Sequence, residues 1–557
     1  MARNLPLMIA YPSLTTAIRR ALWIWLYGLC RFFRLERILL PEMGDMRRVG
    51  RIERAPDSPE SSRQRVLFVS PRYWSTFTLF QIAVAQALIK RGADCAIVTC
   101  GGVQPICEID WRAKSLVSMC RRCASSVLDL AKHAGIPAST VADNVDLERI
   151  RVAEVQIASA DWAEIEKFEW NGVALGPAVF TAVRWKLRTH FPERHPLGRE
   201  TALDFIRDGI RWTEGIGRIL DKHKPDVVVM LNGVFLPEKI TAQLASARGA
   251  RVVFFETGRD RGTIFLSHEI PAPRYDVSAS WSSSSEIPLS LEEDKAIGDL
   301  IGRRARGEDV VETYWSNGEA EKSPLKDVLD IPDVSRLAVL YTNVIWDTAM
   351  QDRDVVFENM FEWIGHTIRL FASRPDWTLV IRVHPAESQL KARLSYDRVA
   401  DWIKEKFPEP PPNIRVVLPQ QPVDSYDLMR LARIGLVYAS TAGLELALHN
   451  VPVIVAGDAH YRGKGFTHDP VSPADFTGVV TGLLDGAPGM NDDFTTNAKR
   501  YAHLFFLRRT LPMAVVDIPT TDQPRLTYSS LSQLEDGQNE TLDIICDGIL
   551  TGSEFVL

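Results

Sequence analysis

Short runs of consecutive apolar residues alternate along this chain with longer segments of helical periodicity. The run from Arg65 to Val69 is followed by a helical segment from Thr76 to Lys90, and then by a second run, DCAIVT. Runs of this length are typical of strands that are buried on both faces of a parallel sheet. Strand, helix and strand in this order predict a βαβ unit, so the expected fold class is α/β with a doubly wound sheet.

The same alternation recurs further along the chain. Residues 224–258 contain a strand ending at Asn232-Gly233, a helix from Pro237 and a strand ending at Glu256-Thr257-Gly258, after a largely helical block at about 125–222. From residue 334 the pattern starts again, with predicted strands in the runs RLAVLY, WTLVIRV, NIRVV, IGLVYA and VPVIVA. The helix between the first two of these runs presents one apolar face, formed by Phe357, Phe361, Ile364, Ile368 and Phe371.

With 557 residues the chain is too long for a single hydrophobic core. We expect one Rossmann-like domain over 65–276 and a second over 334–490, joined by an interdomain segment at 277–333. Residues 1–64 are expected to supply a basic, aromatic helix and a linker, and residues 491–557 a returning helix and a polar tail. Two Rossmann-like domains that face each other across a cleft form the GT-B plan, which many glycosyltransferases share.

Polar residues follow two of the strands in the second predicted domain. In open α/β sheets ligands bind beyond the carboxyl ends of the strands, so these positions are candidate ligand contacts. His384-Pro385 follows the run VIRV, and Arg382 lies two residues before His384 on the same face. Ser440 and Thr441 follow the neighbouring strand, where hydroxyls and the amides of a helix N-terminus can bind an anion. Together these residues predict a site for a phosphate-bearing ligand.

Four other polar residues are candidates for the same cleft. Glu445 lies one turn into the helix that follows Ser440 and can accept hydrogen bonds from ribose hydroxyls. Lys464, in a glycine-flanked loop, can contact a phosphate or carboxylate, with a solvated loop lysine as the alternative. Asn343 and Asp347 follow the first strand of the second domain. Ordinary structural roles compete with these assignments, since Ser and Thr often cap helices and a first-turn glutamate complements the helix dipole.

Three stretches carry a resemblance to a known family: RVHPAE, STAGLELALHNVPVIVAG and YRGKGFTHDP. Over about 335–510 the chain resembles the capsule polysaccharide biosynthesis family, which includes the Kdo transferases of capsule assembly. The His-Pro and Ser-Ser/Thr motifs are shared with bacterial sialyltransferases. The resemblance implies that the donor nucleotide and its phosphate are held by His384, Pro385, Ser440 and Thr441. Gly443, in the same stretch, is a further donor-binding candidate.

The resemblance also implies a catalytic base. The related enzymes carry an acidic-acidic-Gly motif in the first domain, and the match here is Glu256-Thr257-Gly258, in which threonine replaces the second acid. Glu256 is therefore the expected base that takes the proton of the acceptor hydroxyl. Arg382, His384 and the Ser440-Thr441 helix end are expected to stabilise the leaving phosphate.

The function expected from these residues and the resemblance is an inverting, metal-independent glycosyltransferase. It would move a sugar from a nucleotide-sugar donor, CMP-linked if the resemblance extends that far, to a surface polysaccharide or lipid-linked acceptor. No cofactor is expected for catalysis. The Asp-x-Asp pattern at Asp352-Arg353-Asp354, which GT-A enzymes use for metal, is interpreted as an acidic pair at a helix N-terminus.

Three other functions stay open at the level of the sequence. A polyol-phosphate transferase of the teichoic-acid type also uses His-Pro, although that family usually has an aspartate before its Ser-Ser, where this chain has Tyr438-Ala439. A nonhydrolysing sugar-nucleotide epimerase shares the architecture. A catalytically silent GT-B scaffold within a polysaccharide assembly complex would bind nucleotide without needing Glu256.

The first 60 residues contain many arginines and no lysine. Within them, RRALWIWLYGLCRFFRLERILL (19–40) has an uncharged core that is shorter than the roughly 20 residues a membrane span needs. Arginines and tryptophans on a helix suit the membrane interface, and the alternatives are a helix packed on the protein's own core or a signal peptide. We expect a cytoplasmic protein, peripheral to the inner face of the cytoplasmic membrane. The net charge of −6 gives no indication of a nucleic-acid partner.

Seven cysteines in a chain of this length do not indicate a disulfide scaffold. Four of them cluster in sequence, and the last pair forms a C-x-x-C. Four thiols can hold a structural zinc ion or an iron–sulfur cluster, and four reduced cysteines are the alternative. The candidate metal ligands are Cys100, Cys107, Cys120 and Cys123.

Overall fold

The structure is a computed structural model, and it describes two parallel sheets with helices on both faces of each. The helix predicted at 19–40 lies outside the described residues. Within the described residues, no helix combines the length and the apolar character that crossing a membrane requires. The described residues are 41–52, 63–104, 106–108, 117–306, 308, 325, 329–389, 394–421, 423–518 and 524–557.

The strands are short, as the apolar runs predict. In chain order they are β1 (Arg65–Val69), β2 (Asp94–Thr99), β3 (Ala138–Thr140), β4 (Glu169–Trp170), β5 (Val173–Ala174), β6 (Val227–Leu231), β7 (Arg251–Thr257), β8 (Thr263–His268), β9 (Leu337–Tyr341), β10 (Thr378–Arg382), β11 (Ile414–Val417), β12 (Ile434–Val437), β13 (Val453–Val455), β14 (Leu511–Pro512), β15 (Val516–Asp517) and β16 (Arg525–Leu526).

The helices connect these strands and cover the sheets. They are α1 (Pro41–Val49), α2 (Ser75–Lys90), α3 (Val117–Ala134), α4 (Leu147–Ile157), α5 (Trp162–Glu166), α6 (Leu175–Leu187), α7 (Gly198–His223), α8 (Leu236–Ser246), α9 (Ser278–Ser284), α10 (Leu291–Ala305), α11 (Met360–Ala372), α12 (Ala386–Gln389), α13 (Val399–Lys406), α14 (Ser425–Leu431), α15 (Ala442–Leu448), α16 (Pro473–Leu484), α17 (Asp492–Ala502) and α18 (Glu540–Thr551), with a π-helix at His503–Arg509. Short 3-10 helices lie at Ala142–Asn144, Pro192–Arg194, Ala272–Arg274, Val334–Arg336, Thr348–Met350 and Leu531–Leu534.

The first sheet has the strand order β14-β8-β7-β6-β1-β2-β3. The five strands β7, β6, β1, β2 and β3 pair in parallel, whereas β8 and β14 add an antiparallel edge. Neighbouring positions of a strand enter different cores because side chains alternate across a sheet. Phe255 packs in the core that contains α2, and Phe254 packs in the core that contains α7. Burial on both faces explains the continuous apolar runs in the sequence.

The second sheet has the order β11-β10-β9-β12-β13, and all of its pairs are parallel. The two parallel sheets confirm the α/β fold class and its two-sheet organisation. The predicted apolar face of α11 is buried, with Phe357 placed just before the helix begins. Its buried residues include Phe361, Ile364, Ile368 and Phe371.

The end of the chain is not the polar tail that the sequence predicts. Beyond residue 510, β14 pairs with β8, and α18 packs on α2 of the first domain. Leu542, Ile545 and Ile549 of α18 are fully buried or nearly so, because their spacing places them on one face of the helix. The described part of residues 510–557 therefore belongs to the first domain.

The predicted linker at 41–64 also differs from the structure in its first part. Residues 41–49 form α1, which packs on α3 and buries Met46 and Val49. The backbone N–H of Ile52 donates to the carbonyl oxygen of Ala134 at 3.0 Å. Three buried apolar side chains spaced along a polar stretch make it a packed element, and residues 53–62 lie outside the described residues.

Candidate active site

The carboxyl ends of the two parallel sheets border one cleft of about 610 Å³. Residues that follow β7 line one wall, and residues that follow β9, β10 and β12 line the other. This arrangement follows from the rule that ligand sites in open α/β sheets lie beyond the carboxyl ends of the strands. The predicted site residues that line this cleft are Glu256, Asn343, Asp347, Arg382, His384, Pro385, Ser440, Thr441 and Glu445.

A second cavity, of about 720 Å³, lies beside β14 and β16. It is lined by residues such as Asp45, Arg48 and Arg525, and none of the predicted site residues belongs to its lining. The smaller interdomain cleft is therefore the candidate active site.

Glu256, the predicted base, is the second-last residue of β7, and it lines the cleft. It accepts hydrogen bonds from the Thr257 backbone N–H at 2.8 Å, the Thr257 hydroxyl at 3.1 Å and the Asn232 side-chain amide at 3.1 Å. Burial raises the pKa of Glu256 despite these bonds, and the negative charge of Asp347 raises it further. A carboxylate with a raised pKa is a stronger base than an exposed one. Thr257, which replaces the second acidic residue of the motif, thus donates hydrogen bonds to the first acidic residue, Glu256.

Asp347 belongs to the second domain and borders the same cleft. Its carboxylate accepts from the backbone N–H of Ala349 at 3.0 Å and so caps the short helix Thr348–Met350. Burial raises the pKa of Asp347, and the Arg259 cation opposes that rise. Glu256 and Asp347 thus place at the cleft one carboxyl with a raised pKa from each domain.

His384 follows β10 on the opposite wall from Glu256. Its backbone N–H donates to the Thr342 hydroxyl at 3.0 Å, and its Nδ1 lies 3.2 Å from the backbone N–H of Ala386. Because Nδ1 accepts that bond, the ring proton of the neutral imidazole resides on Nε2. Burial and the positive charge of Arg382 lower the pKa of His384 to about 4. His384 is therefore neutral near pH 7.

Arg382 borders the cleft, but its guanidinium is also tied into the second domain. It donates to the carbonyl oxygen of Leu418 at 2.9 Å and to the Ser425 hydroxyl at 3.4 Å. Burial lowers the pKa of Arg382, although an arginine remains charged in proteins. The residue thus supplies a fixed positive charge behind His384.

The segment Ser440-Thr441 follows β12 and begins α15. The Ser440 hydroxyl accepts from the backbone N–H of Ala442 at 3.2 Å, and the Ser440 carbonyl accepts from the N–H of Gly443 at 3.1 Å. The amides of Ala442 and Gly443, at the helix N-terminus, are thus already paired within the protein. The hydroxyls of Ser440 and Thr441 remain the candidate contacts at this point of the cleft.

Gly443 and Lys464 are not among the residues that line the cleft. A Cβ at position 443 would lie 2.1 Å from the Tyr461 hydroxyl oxygen, so the glycine makes room for that side chain. The ammonium of Lys464 donates to the Ser278 hydroxyl at 2.8 Å. Asn343 does line the cleft, and its side-chain oxygen accepts from the backbone N–H of Ala439 at 3.3 Å.

Glu445 borders the cleft, and its carboxylate already has partners within the protein. Its Oε1 accepts from Arg304 Nε at 2.9 Å and from the Tyr426 hydroxyl at 3.2 Å. Arg304 lies at the end of α10, far from Glu445 in sequence. This pairing was not predictable from the local sequence around either residue.

The acidic pair interpreted as a helix N-terminus has a different structure. The next helix, α11, begins only at Met360 and is capped by Asn359. Arg353 instead donates to the carbonyl oxygens of Asp458 at 2.6 Å and Pro273 at 2.9 Å, while the Asp354 carboxylate accepts from the Tyr438 hydroxyl. The pattern Asp352-Arg353-Asp354 therefore joins loops of the two domains, because Arg353 is buried where they meet.

Aromatic side chains that were not predicted from the sequence also line the cleft. The Trp185 ring lies 5.4 Å from Phe235 and 5.3 Å from Trp346 in edge-to-face contacts that join the two domains. Trp74 follows β1 and Phe235 follows β6. They could therefore have been predicted from the rule that ligand sites lie beyond the carboxyl ends of the strands. Trp185 lies on α6, and no local signal marks it. The aromatic residues in the lining are Trp74, Phe77, Trp185, Phe235, Tyr275, Tyr341, Trp346 and Tyr426.

The four clustered cysteines lie away from this cleft, around the start of α3. The Cys123 sulfur accepts from the backbone N–H of Tyr73 at 2.9 Å, and burial raises the pKa of Cys123 to about 11. In the described part of the chain, no three His, Cys, Asp or Glu side chains are arranged to hold a metal ion. The metal site among these thiols stays a prediction.

Comparison with known proteins finds one family model that matches part of the chain. Residues 327–477 match the model of the capsule polysaccharide biosynthesis protein family, which confirms the resemblance over that region. No curated protein sequence matches the chain.

The chain is also similar to solved structures at low sequence identity. KpsC of Thermosulfurimonas dismutans, a beta Kdo 2,7 transferase, is 14% identical, with 52% of this chain and 80% of that one covered and a TM-score of 0.31. The beta Kdo 2,4 transferase of the same KpsC is 14% identical, with coverages of 56% and 87% and a TM-score of 0.32. A putative UDP-N-acetylglucosamine 2-epimerase from Listeria monocytogenes is 12% identical, with coverages of 79% and 95% and a TM-score of 0.26.

Proposed function

We propose that this chain, whose residues 327–477 match the capsule polysaccharide biosynthesis family, is an inverting, metal-independent glycosyltransferase. It transfers a sugar from a nucleotide-sugar donor, with a CMP-linked sugar as the first candidate, to a surface polysaccharide or glycolipid acceptor. The observation that carries the proposal is the shared cleft. Glu256 of the first domain and His384, Ser440 and Thr441 of the second domain all line it.

The second domain supplies the donor side. The Nε2 proton of His384 and the hydroxyls of Ser440 and Thr441 are donors that can bind phosphate oxygens. Arg382 lies behind His384 and adds positive charge where the leaving phosphate gains negative charge. Fixed donors and charges of this kind stabilise a departing phosphate because they need no reorganisation during the reaction.

The first domain supplies the acceptor side. Glu256 takes the proton of the acceptor hydroxyl as its oxygen attacks the anomeric carbon. The bond to the leaving phosphate breaks on the opposite side of the sugar ring, where the second domain lies. A base and a leaving-group site on opposite walls favour one direct displacement, which inverts the configuration of the anomeric carbon.

The acceptor is expected to be held near a membrane. The arginines and tryptophans at 19–40 suit a helix that lies in the interface of an anionic membrane, and they motivate a peripheral position at the inner face of the cytoplasmic membrane. A lipid-linked acceptor would then meet the cleft without leaving the bilayer surface.

Nucleotide binding gives the primary test. The thermal unfolding of the wild type would be measured with CMP, CDP, UDP, GDP and NAD, beside His384→Ala and the control His133→Ala, which lies on α3 outside the cleft. A ligand at about 100 times its dissociation constant adds roughly 2.7 kcal/mol to stability. We expect a shift with one nucleotide class, lost in His384→Ala and kept in the control. Wild type that responds to none of them would contradict the proposal.

Catalysis needs a separate test, because a scaffold could also bind nucleotide. The nucleotide identified by binding would be supplied as its sugar conjugate together with a membrane extract containing glycolipid acceptors, and release of the nucleotide would be followed. Acceptor-dependent release by the wild type and its loss in Glu256→Gln would support transfer. Equal release by both proteins would favour a scaffold or another activity.

A further inference from the structure

Arg304 joins three separate parts of the chain at the edge of the cleft. Its Nε donates to Glu445 Oε1 at 2.9 Å, and its Nη1 donates to Asp260 Oδ1 at 2.7 Å and to the carbonyl oxygen of Arg259 at 3.1 Å. Arg304 and Glu445 are both buried, and both line the cleft. A single guanidinium thus links α10, the turn after β7 and the helix α15.

The hydrogen bonds of Arg304 connect the predicted donor site, at Glu445, with the turn that follows the predicted base, Glu256. Asp260 and Arg259 lie a few residues beyond Glu256, in the turn that connects β7 to β8. That turn is itself fixed, since Gly258 N–H donates to the Thr263 carbonyl at 2.9 Å and the Tyr275 hydroxyl donates to the Thr257 carbonyl at 2.9 Å. Arg304, on the interdomain helix α10, therefore ties Glu445 to a fixed turn of the first domain.

Only one oxygen of the Glu445 carboxylate accepts side-chain hydrogen bonds from the described residues. In the described residues, both of its side-chain hydrogen bonds, from Arg304 and from Tyr426, fall on Oε1. Two donors on one oxygen fix the orientation of the carboxylate and leave Oε2 to accept from a ligand. A planar guanidinium suits this task better than an ammonium, because it binds several acceptors in fixed directions.

We infer that Arg304 is a positioning residue that determines ribose specificity, by holding Glu445 so that its second oxygen accepts from the hydroxyls of the donor nucleotide. This inference rests on the proposed function, since it requires a nucleotide in the cleft. It also means that the first domain takes part in donor recognition, although the donor site itself belongs to the second domain.

The test compares ribonucleotides with their 2′-deoxy counterparts. The dissociation constants of CMP and 2′-deoxy-CMP, and of the corresponding UDP and GDP pairs, would be measured by calorimetry for the full chain. Loss of a hydrogen bond to a charged group costs about tenfold or more in affinity, so the wild type should prefer the ribonucleotide by about that factor. In Arg304→Gln and in Glu445→Gln the preference should fall to about one.

Two further variants keep the test informative if a buried carboxylate without its partner prevents folding. Arg304→Gln combined with Glu445→Gln leaves no unpaired Glu445 charge and should show the same lost preference as either single variant. Arg304→Lys retains the charge but not the planar fork, and an intermediate preference is expected. The matched control is Arg306→Gln, because Arg306 is an exposed arginine paired with Glu308 at 2.7 Å. That control should keep the wild-type ratio.

The outcomes separate the two proposals. A wild type that binds no nucleotide overturns the proposed function and this inference with it. A folded Arg304→Gln that keeps the full preference for the ribonucleotide overturns this inference alone. A wild type that binds a ribonucleotide and its 2′-deoxy form equally well also overturns the inference while leaving the glycosyltransferase proposal intact.

Discussion

The hydroxyl of Tyr461 donates a hydrogen bond to the carbonyl oxygen of Ser440 at 2.5 Å. Tyr461 reaches this oxygen from the loop after β13, and its side chain is fully buried. The contact passes through space that exists because residue 443 lacks a side chain. One predicted donor-binding residue is thus held in place by a tyrosine and a glycine that do not themselves line the cleft.

Gly443→Ala should therefore weaken nucleotide binding. The new Cβ would lie 2.1 Å from the Tyr461 oxygen, so the tyrosine and Ser440 must move apart. We expect the dissociation constant of the bound nucleotide to rise by about tenfold or more, which corresponds to roughly 1.4 kcal/mol. Gly478→Ala is the control, because it also lies within a helix and its Cβ would have no heavy atom within 4 Å. Unchanged binding in Gly443→Ala would contradict this account of the loop.

Glu256→Gln should separate catalysis from binding. The amide cannot take a proton from the acceptor, and a general base typically contributes about 10²- to 10⁴-fold to a rate. We expect kcat to fall within that range while the dissociation constant of the nucleotide stays within about twofold of the wild type. Steady-state kinetics and calorimetry on the same preparation measure both quantities. Glu292→Gln, at an exposed position of α10, is the control. Full activity in Glu256→Gln would exclude Glu256 as the base.

Thr257→Val should change the pH dependence of the reaction. The Thr257 hydroxyl donates to Glu256 at 3.1 Å and stabilises the ionised form, so its removal should raise the pKa of Glu256 further. The base acts when deprotonated, and kcat/KM therefore rises with pH on the acidic side. In Thr257→Val this rise should move to higher pH, with the plateau rate retained. A profile that shifts to lower pH, or does not shift, would be inconsistent with Glu256 as the titrating base.

The strands and the edge of the sheet where ligands bind were predictable from the sequence. Continuous apolar runs such as Val227–Leu231 are read easily, because burial on both sheet faces requires them. Residues at or just beyond the strand ends, such as Glu256 and His384, then follow from topology, since parallel strands bring their carboxyl ends to one edge. The assignment of the cleft needed no knowledge of packing.

Contacts between distant segments were not predictable in this way. Arg304 and Glu445 form a hydrogen bond between two helices that lie far apart in the chain, and neither local sequence specifies that contact. The pairing of Arg353 with loops of both domains is of the same kind, and it overrides the ordinary tendency of acidic residues to begin a helix. The α18 helix was not predicted, although its five buried residues include Leu542, Ile545 and Ile549 at helical spacing.

His384 should make the folded state less stable in acid. Its pKa is about 4 in the folded protein and near 6.5 when unfolded, so acid protonates the unfolded chain first. Between these values stability falls as pH falls, by at most about 3 kcal/mol for this group. Urea unfolding at pH 7 and pH 4.5 would measure the loss. His384→Asn, which cannot titrate, should lose less stability over that interval, and an equal loss in both proteins would contradict the buried, neutral ring.

Ile549→Ala should destabilise the first domain, although residue 549 lies near the end of the chain. The Ile549 side chain is 0% exposed and packs, with Ile545, in the core that contains α2. Truncating a fully buried isoleucine to alanine removes apolar contacts and leaves a cavity, which typically costs about 2–5 kcal/mol. Thr551→Ala is the control, because Thr551 ends the same helix at an exposed position. Thermal unfolding followed by circular dichroism would compare the two variants with the wild type. If residues 540–551 were only an appended tail, both variants would unfold with the wild type. A lower unfolding temperature in Ile549→Ala alone would show that the first domain needs the last helix of the chain in order to complete its core.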